Sequence, residues 1–361
     1  MVLTKGDDFP LHQTSEPIAY SGTDRNFYDR YFFNGYAPDG SGFFAAAFGV
    51  YPHLDIADAH FSLIRDGRQY SLHASMVMGM ERMALRCGPI SIEVLEPLNK
   101  LRVVVDEHDG IAADVTFTGR AFPIEEPRFI HRHGPRAFMD YTRMTQNGRY
   151  SGWISVNGER QELAADTCGT RDRSWGIRPI GAPDAQPNPH APSFGFFWQW
   201  TPINLTRRSL FFHLNANADG TPWNTKSVLV PDGWDGGAHV SPKARLETGL
   251  EAGTRWPTQS RLVLEHGDEQ EAYTLDPIVR FQMKGLGYTH PKWGHGQHHG
   301  TLEVEREDFD LASLDPADPS NLHVQMLCRV SGPIDQGMGV FEQLAIGPYA
   351  PLGLTGIADG A

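Results

Sequence analysis

Turn signals recur along this chain at short, regular intervals, and short apolar runs fill the spaces between them. Dipeptides that favour tight turns stand at 39–40, 66–67, 109–110, 157–158, 219–220 and 267–268. The pair Asn157-Gly158 supplies the positive φ angles of a type I′ turn, so the runs Tyr150 to Val156 and Arg160 to Ala165 are predicted to form a hairpin. Short strands separated by such turns predict an all-β sandwich or barrel.

The length of the chain fits two such barrels in succession. A barrel with its loops takes roughly 150–180 residues, and the chain has 361 residues with 38 glycines and 26 prolines. A Pro-rich connection, Pro179 to Pro192, is predicted to link or cover them. We therefore predict an N-terminal barrel over 1–182 and a C-terminal barrel over 183–361. Helical periodicity is limited to Ser241 to Gly249 and Asp310 to Leu314.

Composition excludes several classes of protein. The net charge of −13 argues against nucleic acid or an anionic membrane surface as the main partner. Cys87, Cys168 and Cys328 lie far apart, which favours buried thiols over a disulfide framework or a zinc knuckle. No apolar run approaches the roughly eighteen residues of a membrane span, and the N-terminus lacks a signal peptide. We expect a cytoplasmic protein without a cofactor, because no nucleotide-binding motif is present, and a homodimer is left open.

The stretch Asp166 to Pro179 near the middle of the chain has an unusual mixture of residues. As a strand it would have a small face bearing Asp172 and an opposite face bearing Arg171, Arg173 and Trp175. If Asp172 faced an apolar cavity, desolvation would raise its pKa and suit it to protonating an alkene. Alternatively, Asp172 forms a structural ion pair with one of three arginines, Arg171, Arg173 or Arg178.

Histidines are concentrated in the window Gly285 to Gly300, at positions 290, 295, 298 and 299. The glycines of this window indicate a folded loop whose imidazoles bind backbone carbonyls. His290 or His295 is the candidate if one of them acts as an acid or base. The order of residues matches no metal motif, so no metal is expected.

The basic stretch His131 to Arg136 is predicted to be a solvated turn, or else to bind an anion or to line the mouth of a pocket. Aromatic residues form a separate group of candidates. They either belong to ordinary barrel cores or line a cavity for a rigid hydrophobic ligand. The candidates for binding a substrate are Tyr31, Trp175, Phe194, Phe196, Trp198, Trp200 and Trp293.

The stretch Gly169 to Arg178 also resembles a known superfamily. It is similar to the corresponding motif of the carotenoid 1,2-hydratase (hydroxyneurosporene synthase) and AttH-like double-lipocalin proteins, which include hydratases and cyclases. Supporting stretches are Phe27 to Phe33, Val50 to Pro52, Gly285 to Gly300 and Gly339 to Glu342. The resemblance implies two antiparallel lipocalin-like barrels with a hydrophobic pocket in or between them. It also implies a proton-donor role for Asp172, although Ser174 stands where those hydratases carry asparagine.

Two functions follow as hypotheses. The first is a cofactor-independent hydratase, cyclase or isomerase that acts on a hydrophobic unsaturated compound of terpenoid, steroid-like or prenylated type. Asp172 would donate the proton, and His290 or His295 would receive one. The second is a lipocalin-like carrier of a hydrophobic small molecule, in which Asp172 and its neighbouring arginines are structural.

Overall fold

The computed structural model describes residues 3–12, 24–186, 189 and 195–360. The first thirteen strands are β1 Phe27–Tyr36, β2 Phe43–Tyr51, β3 Ile56–Arg65, β4 Arg68–Val77, β5 Arg86–Cys87, β6 Ile90–Glu96, β7 Lys100–His108, β8 Ile111–Gly119, β9 Ile124–Glu125, β10 Phe129–His133, β11 Arg136–Val156, β12 Glu159–Glu162 and β13 Cys168–Ile177. The others are β14 Phe196–Leu205, β15 Arg208–Ala216, β16 Pro222–Pro231, β17 Lys243–Leu250, β18 Pro257–His266, β19 Glu269–Gln282, β20 Leu302–Asp310, β21 Val324–Ser331 and β22 Gln336–Ile346. Single 3₁₀ turns stand at Lys5–Asp8, Met283–Leu286, Pro319–Asn321 and Ala350–Leu352.

The strands form two antiparallel sheets, each curved into a lipocalin-like barrel. The first sheet runs in the order β20-β4-β3-β2-β1-β13-β11-β8-β7-β6-β5, with β9, β10 and β12 paired to the long strand β11. Its two ends curl toward each other, since the thiol of Cys87 in β5 donates to the carbonyl of Ala57 in β3. The second sheet runs in the order β16-β15-β14-β22-β21-β19-β18-β17.

Strand β1 shows why the centre of the first sheet lacks an alternation of apolar and polar residues. Every residue of the strand is buried, because both faces of this part of the sheet are covered. Tyr31 and Phe33 point into the first barrel, where they pack with Phe48 and Phe117. The alternate residues pack against the second barrel instead. This seam between the barrels contains Phe32, Tyr36, Phe43, Trp198, Trp200, Phe281, Leu327 and Val340.

A segment from the second half of the chain, between β19 and the end of β20, packs on the first barrel and so joins the two barrels. After β19 the chain crosses the outer face of β3 and β4, where the side-chain amide of Gln69 exchanges two hydrogen bonds with the backbone of Gln282 (2.8 and 2.9 Å). It then returns as β20 and pairs along the whole of β4. The first sheet is therefore completed by a strand from the later part of the chain, and the boundary at 182/183 remains a prediction.

Two expectations about local structure are confirmed, but both predicted helical segments are wrong. The turn Asn157-Gly158 joins β11 to β12 with φ angles of 53° and 82°. All three cysteines are free and buried. The predicted helix over Ser241 to Gly249 is the strand β17, whose side chains alternate between exposed and half-buried positions. The segment from Asp310 to Leu314 contains the last residue of β20 and the turn that follows it. Among the described residues, no helix has the length and apolar character needed to cross a membrane.

Candidate active site

The central stretch forms β13, which lies between β1 and β11 at the heart of the first sheet. Its chain must pass very close to β1 at Gly169, where a Cβ atom would stand 2.0 Å from the carbonyl oxygen of Asn34. A glycine is therefore required at this position. Because side chains alternate along a strand, Asp172 points toward the seam, while Arg171 and Arg173 point toward the first barrel, as expected.

The two arginines on the barrel side bind acidic partners from distant parts of the chain. Arg171 pairs with Asp8 and also donates through Nε to the side chain of Gln146 (2.7 Å). Arg173 pairs with Asp29 and lies 3.8 Å from the ring centre of Tyr31. The Arg171–Asp8 pair, with a hydrogen bond from Arg173 Nε to the carbonyl of Asp7 (3.1 Å), ties the N-terminal segment to the first barrel. Neither arginine contacts Asp172.

On the seam side, Asp172 belongs to a buried charged group. Its side chain is 7% exposed, and its Oδ2 accepts a hydrogen bond from Nη2 of Arg143 at 2.7 Å. The Nε of Arg143 lies 3.8 Å from Glu126 Oε1, which accepts hydrogen bonds from Thr145 (2.6 Å) and Trp200 (3.3 Å). One buried guanidinium thus faces more than one carboxyl group.

A second carboxyl of this group, Glu342, lies on β22. Its Oε1 accepts hydrogen bonds from Trp198 (2.7 Å) and from His323 Nε2 (2.9 Å), and its Oε2 accepts one from Gln325 (2.6 Å). The guanidinium of Arg143 lies over the rings of Trp198 and Trp200, at 5.1 and 4.5 Å from their centres. We call Asp172, Arg143, Glu126, Glu342 and His323 the seam cluster.

The pKa values of two carboxyl groups in the seam cluster are displaced in opposite directions. Burial, with repulsion from Glu126 and Glu342, outweighs the charge of Arg143 and raises the pKa of Asp172 to about 6. Burial also disfavours ionisation of Glu342, but the hydrogen bonds from His323 and Gln325 and the charge of Arg143 lower its pKa below the usual value. The seam cluster therefore contains one carboxyl that holds a proton more readily than usual and one that stays ionised.

A cavity of about 1100 Å³ opens beside the seam cluster. Phe138, Phe196, Trp223 and Tyr288 contribute aromatic walls, while the basic stretch of β10 and the start of β11 contributes His131, His133 and Arg136. Asp172, Trp198 and Trp200 are not among its lining residues. They lie one layer deeper, since Trp198 follows Phe196 on the same face of β14. We call this space the interbarrel cavity.

The two histidines predicted as catalytic have both ring nitrogens engaged. His295 lines the interbarrel cavity, but its Nδ1 faces Nη2 of Arg178 (2.9 Å) and its Nε2 faces the carbonyl of Leu286 (2.9 Å). Because arginine only donates and a carbonyl only accepts, the imidazole is neutral with its proton on Nε2. His290 is similar: its Nδ1 accepts from the backbone N–H groups of residues 292 and 293, and its Nε2 lies 3.1 Å from Glu307.

His73, His290 and Glu307 bring three potential metal ligands within 4.8 Å of one another. The hydrogen bonds of His290 do not fit a metal site in this arrangement. Its Nδ1 accepts two backbone N–H groups, so Nε2 carries the proton and has no lone pair for an ion. In metal sites the second nitrogen of a histidine ligand usually donates a hydrogen bond instead. The group is better described as two histidines that both face the carboxylate of Glu307, His73 at 3.8 Å and His290 at 3.1 Å.

The remaining predicted residues are dispersed. Tyr31 is buried in the first barrel, Trp175 stacks on His12 at 3.7 Å, and Trp293 donates to Glu305 beneath the histidine loop (2.7 Å). Phe194 lies outside the described residues. The structure brings together Asp172, Trp198 and Trp200 in the seam, and Phe196, Arg178 and His295 at the interbarrel cavity.

Sequence reasoning missed most of the seam cluster. Arg143 lies on β11, Glu126 directly follows β9, and His323 directly precedes β21; none of them stands in a motif. Only Glu342 lies in a stretch that supported the resemblance, Gly339 to Glu342. The available signal was cross-strand geometry: Arg143 lies opposite Ser174 on the neighbouring strand, diagonal to Asp172.

Fold and site together define an all-β protein with two lipocalin-like barrels and a buried charged seam between them. The fold matches that of a protein described as AttH from Nitrosomonas europaea (15% identity, TM-score 0.53, 93% of this chain and 98% of that one). It also matches CghA in complex with Sch210972 (12% identity, TM-score 0.53, 89% of each chain) and, at a TM-score of 0.47, kievitone hydratase from Nectria haematococca (13% identity, 88% of each chain).

The double-lipocalin fold implied by the resemblance is therefore confirmed. No curated protein sequence matches the chain. The chain belongs to the family described as a family of unknown function, DUF8625, whose model matches residues 3–355.

Proposed function

We propose that this protein binds a hydrophobic unsaturated small molecule between its barrels and catalyses a cofactor-independent hydration, cyclisation or isomerisation. The observation that carries the proposal is the buried seam cluster, in which Arg143 holds Asp172 and lies over Trp198 and Trp200, and in which the pKa values of Asp172 and Glu342 are displaced in opposite directions. Two carboxyl groups whose pKa values are displaced in opposite directions suit two separate roles, one as the acid and the other as the carboxylate that orients the base. A structure of CghA, a protein of this fold, with Sch210972 supports the expectation that this chain also binds a compound.

Asp172 is the proton donor in this proposal. Its Oδ2 is held by Arg143, so Oδ1 is the oxygen that presents the proton to a carbon–carbon double bond. As the O–H bond breaks and the new C–H bond forms, the carboxylate that develops on Asp172 gains the full attraction of the Arg143 guanidinium. The remaining carboxylates, Glu126 and Glu342, balance the positive charge that appears on the substrate.

His323 is the proton acceptor that the geometry favours. With Nε2 donating to the ionised Glu342, the neutral imidazole has its lone pair on Nδ1, and Nδ1 has no hydrogen-bond partner among the described residues. A carboxylate behind an imidazole fixes the tautomer and orientation of a general base. In a hydration, water bonds to the cationic carbon and loses its proton to His323 Nδ1. In a cyclisation or isomerisation, the proton comes from the adjacent C–H group. His323 then returns it to Asp172 through solvent.

Tyr288 stands between the interbarrel cavity and this base. Its ring lines the cavity and meets the ring of His323 edge-on, with centres 4.9 Å apart. The flanking residues Gly287 and Thr289 have φ angles of 82° and 53°, and the second is unfavourable for a β-branched residue. In the proposal, this short loop turns Tyr288 aside so that the unsaturated end of the substrate reaches the seam cluster.

A carrier without catalysis is the second candidate. The observation that favours it is the pair between Asp172 and Arg143, together with the absence of Asp172 from the cavity lining. In this reading the seam cluster only joins the barrels. The ligand would stay in the interbarrel cavity.

Turnover separates the two candidates. Purified protein is incubated in D₂O with a panel of prenylated phenols, terpenoid alkenes and polyenes, and mass spectrometry follows products that gain a water mass or a single deuterium. We expect at least one compound to be converted with deuterium at carbon, because Asp172 exchanges with solvent before it protonates the alkene. A compound that binds tightly but is recovered unchanged, with no conversion across the panel, would support the carrier.

Replacing His323 tests the base directly. For His323→Gln we expect kcat on a converted substrate to fall about a hundredfold while Kd changes little, because the amide still bonds Glu342 but accepts no proton. His239→Gln, at an exposed histidine after β16, is the matched control and is expected to keep wild-type rates. A His323→Gln protein with normal kcat would remove His323 from the mechanism.

A further inference from the structure

Arg178, near the end of the central stretch, forms no ion pair in the described part of the chain. The buried carboxyl of Asp58 feels its charge but lies within ion-pairing distance of Arg30 instead (3.8 Å). The guanidinium of Arg178 lies 4.4 Å from the ring centre of Tyr28 and 5.8 Å from that of Tyr288, and Nη2 donates to His295. Its Nε is buried and has no hydrogen-bond partner among the described residues. Enclosed cations in proteins are normally paired with an anion, so this arrangement is incomplete without one.

The interbarrel cavity that Arg178 lines has a positive character. Three arginines line it, Arg25, Arg136 and Arg178, against a single lining carboxylate, Asp184. Asp184 already pairs with the other two arginines, at 3.0 Å from Arg25 and 2.6 Å from Arg136. Arg178 therefore has no ion-pair partner among the residues that line the cavity. A cationic cavity in a chain of net charge −13 concentrates anions locally against the overall field of the protein.

We propose that the interbarrel cavity takes a hydrophobic ligand with one carboxylate group, and that Arg178 forms the ion pair with it. The planar guanidinium suits such a group because it offers two parallel N–H donors to two oxygens. His295 holds Nη2 and so fixes the plane of the guanidinium, while Phe138, Phe196 and Trp223 cover the apolar body of the ligand. The proposal narrows the class of substrate. It rests on the proposed function only in that the ligand binds in the interbarrel cavity, and it does not require catalysis.

A matched pair of fluorescent ligands tests the proposal. Cis-parinaric acid is a conjugated polyene with a carboxylate, and its methyl ester has the same chain without the charge. In fluorescence titrations of the wild-type protein we expect the acid to bind roughly tenfold to a hundredfold more tightly than the ester, the range that corresponds to a hydrogen bond with a charged group. The preference is expected to decline as salt is added.

Variants identify the cation responsible. Arg178→Gln is expected to bind acid and ester equally, with the affinity for the ester unchanged, which also verifies that the cavity is intact. Arg261→Gln, at an exposed arginine of β18, is the control and should keep the full preference. If Arg178→Gln fails to bind the ester, Arg178→Lys takes its place and should retain a reduced preference for the acid.

The outcomes separate this proposal from the proposed function. Equal affinity of the wild-type protein for acid and ester would overturn the ion pair and leave the hydrophobic cavity standing. Binding of neither ligand would overturn the use of the cavity itself. A preference for the acid that survives in both Arg178 variants at full strength would also overturn the role of Arg178.

Discussion

Asp172→Asn is expected to lower kcat/KM about a thousandfold on any substrate that the wild-type protein converts, because loss of a positioned general acid costs roughly 10²–10⁴ in rate. The amide keeps a hydrogen bond from Arg143 but has no acidic proton. In the wild-type protein the acid form of Asp172 must be present, and burial raises its pKa to about 6. We therefore expect kcat/KM to fall by a factor approaching ten for each pH unit above about pH 6.

Rates measured across a pH series, with substrate loss followed by mass spectrometry, check both parts of this prediction. Asp114→Asn is the matched control, since Asp114 is also ion-paired on the first barrel, with Arg102 at 2.7 Å, but faces outward. The control should show wild-type rates and the same descending limb. Equal turnover by the Asp172→Asn protein would exclude Asp172 as the acid and leave the seam cluster a structural feature.

Much of the fold was predictable from the sequence because turn chemistry is local. Asn157-Gly158 and Asp66-Gly67 carry their φ preferences in two adjacent residues, so the hairpins around them need no information from elsewhere in the chain. The error at Ser241 to Gly249 has the opposite cause. Ala244, Leu246 and Thr248 alternate along a partly exposed strand, and over so few residues this pattern also resembles a helix face.

The partners of Asp172 were less accessible to sequence reasoning. Arg171 and Arg173 are its neighbours in the chain, but adjacent residues of a strand point to opposite faces. The sequence offers both as partners of Asp172, and both pairings are wrong, because the strand turns these arginines to the opposite face of the sheet, where they bind Asp8 and Asp29. The actual partner, Arg143, reaches Asp172 diagonally across the β11–β13 pair. The register between β11 and β13 depends on how the whole sheet is paired. It cannot be read from the residues of β13 alone.

The histidines show a similar limit. A window with four histidines between residues 290 and 299 attracts attention, yet the loop itself uses the nitrogens of His290 and His295 to hold its backbone. His323 stands alone in the sequence, and only the fold sets Glu342 behind it at 2.9 Å. Chemical availability of a nitrogen depends on which hydrogen bonds remain unmade. Composition does not carry that information.

Arg143→Met is expected to destabilise the protein by about 3–5 kcal/mol near pH 8, because breaking a buried ion pair from one side leaves uncompensated charge. Arg143 balances Asp172, Glu126 and Glu342, which together raise its pKa although burial opposes its charge. The methionine fills a similar volume, so the loss is mainly electrostatic. Urea unfolding of the variant and of the wild-type protein measures the difference.

The pH dependence of that loss distinguishes electrostatics from packing. The folded-state pKa of Asp172 is raised to about 6, above its unfolded value, so its ionisation costs stability as the pH rises through that region. Without Arg143 this pKa rises further, and the penalty grows over a wider range of alkaline pH. We therefore expect the deficit of Arg143→Met to shrink by several-fold between about pH 8 and about pH 5. A deficit that is the same at both pH values would mean that Arg143 stabilises the seam through its contacts with Trp198 and Trp200 and not through its charge.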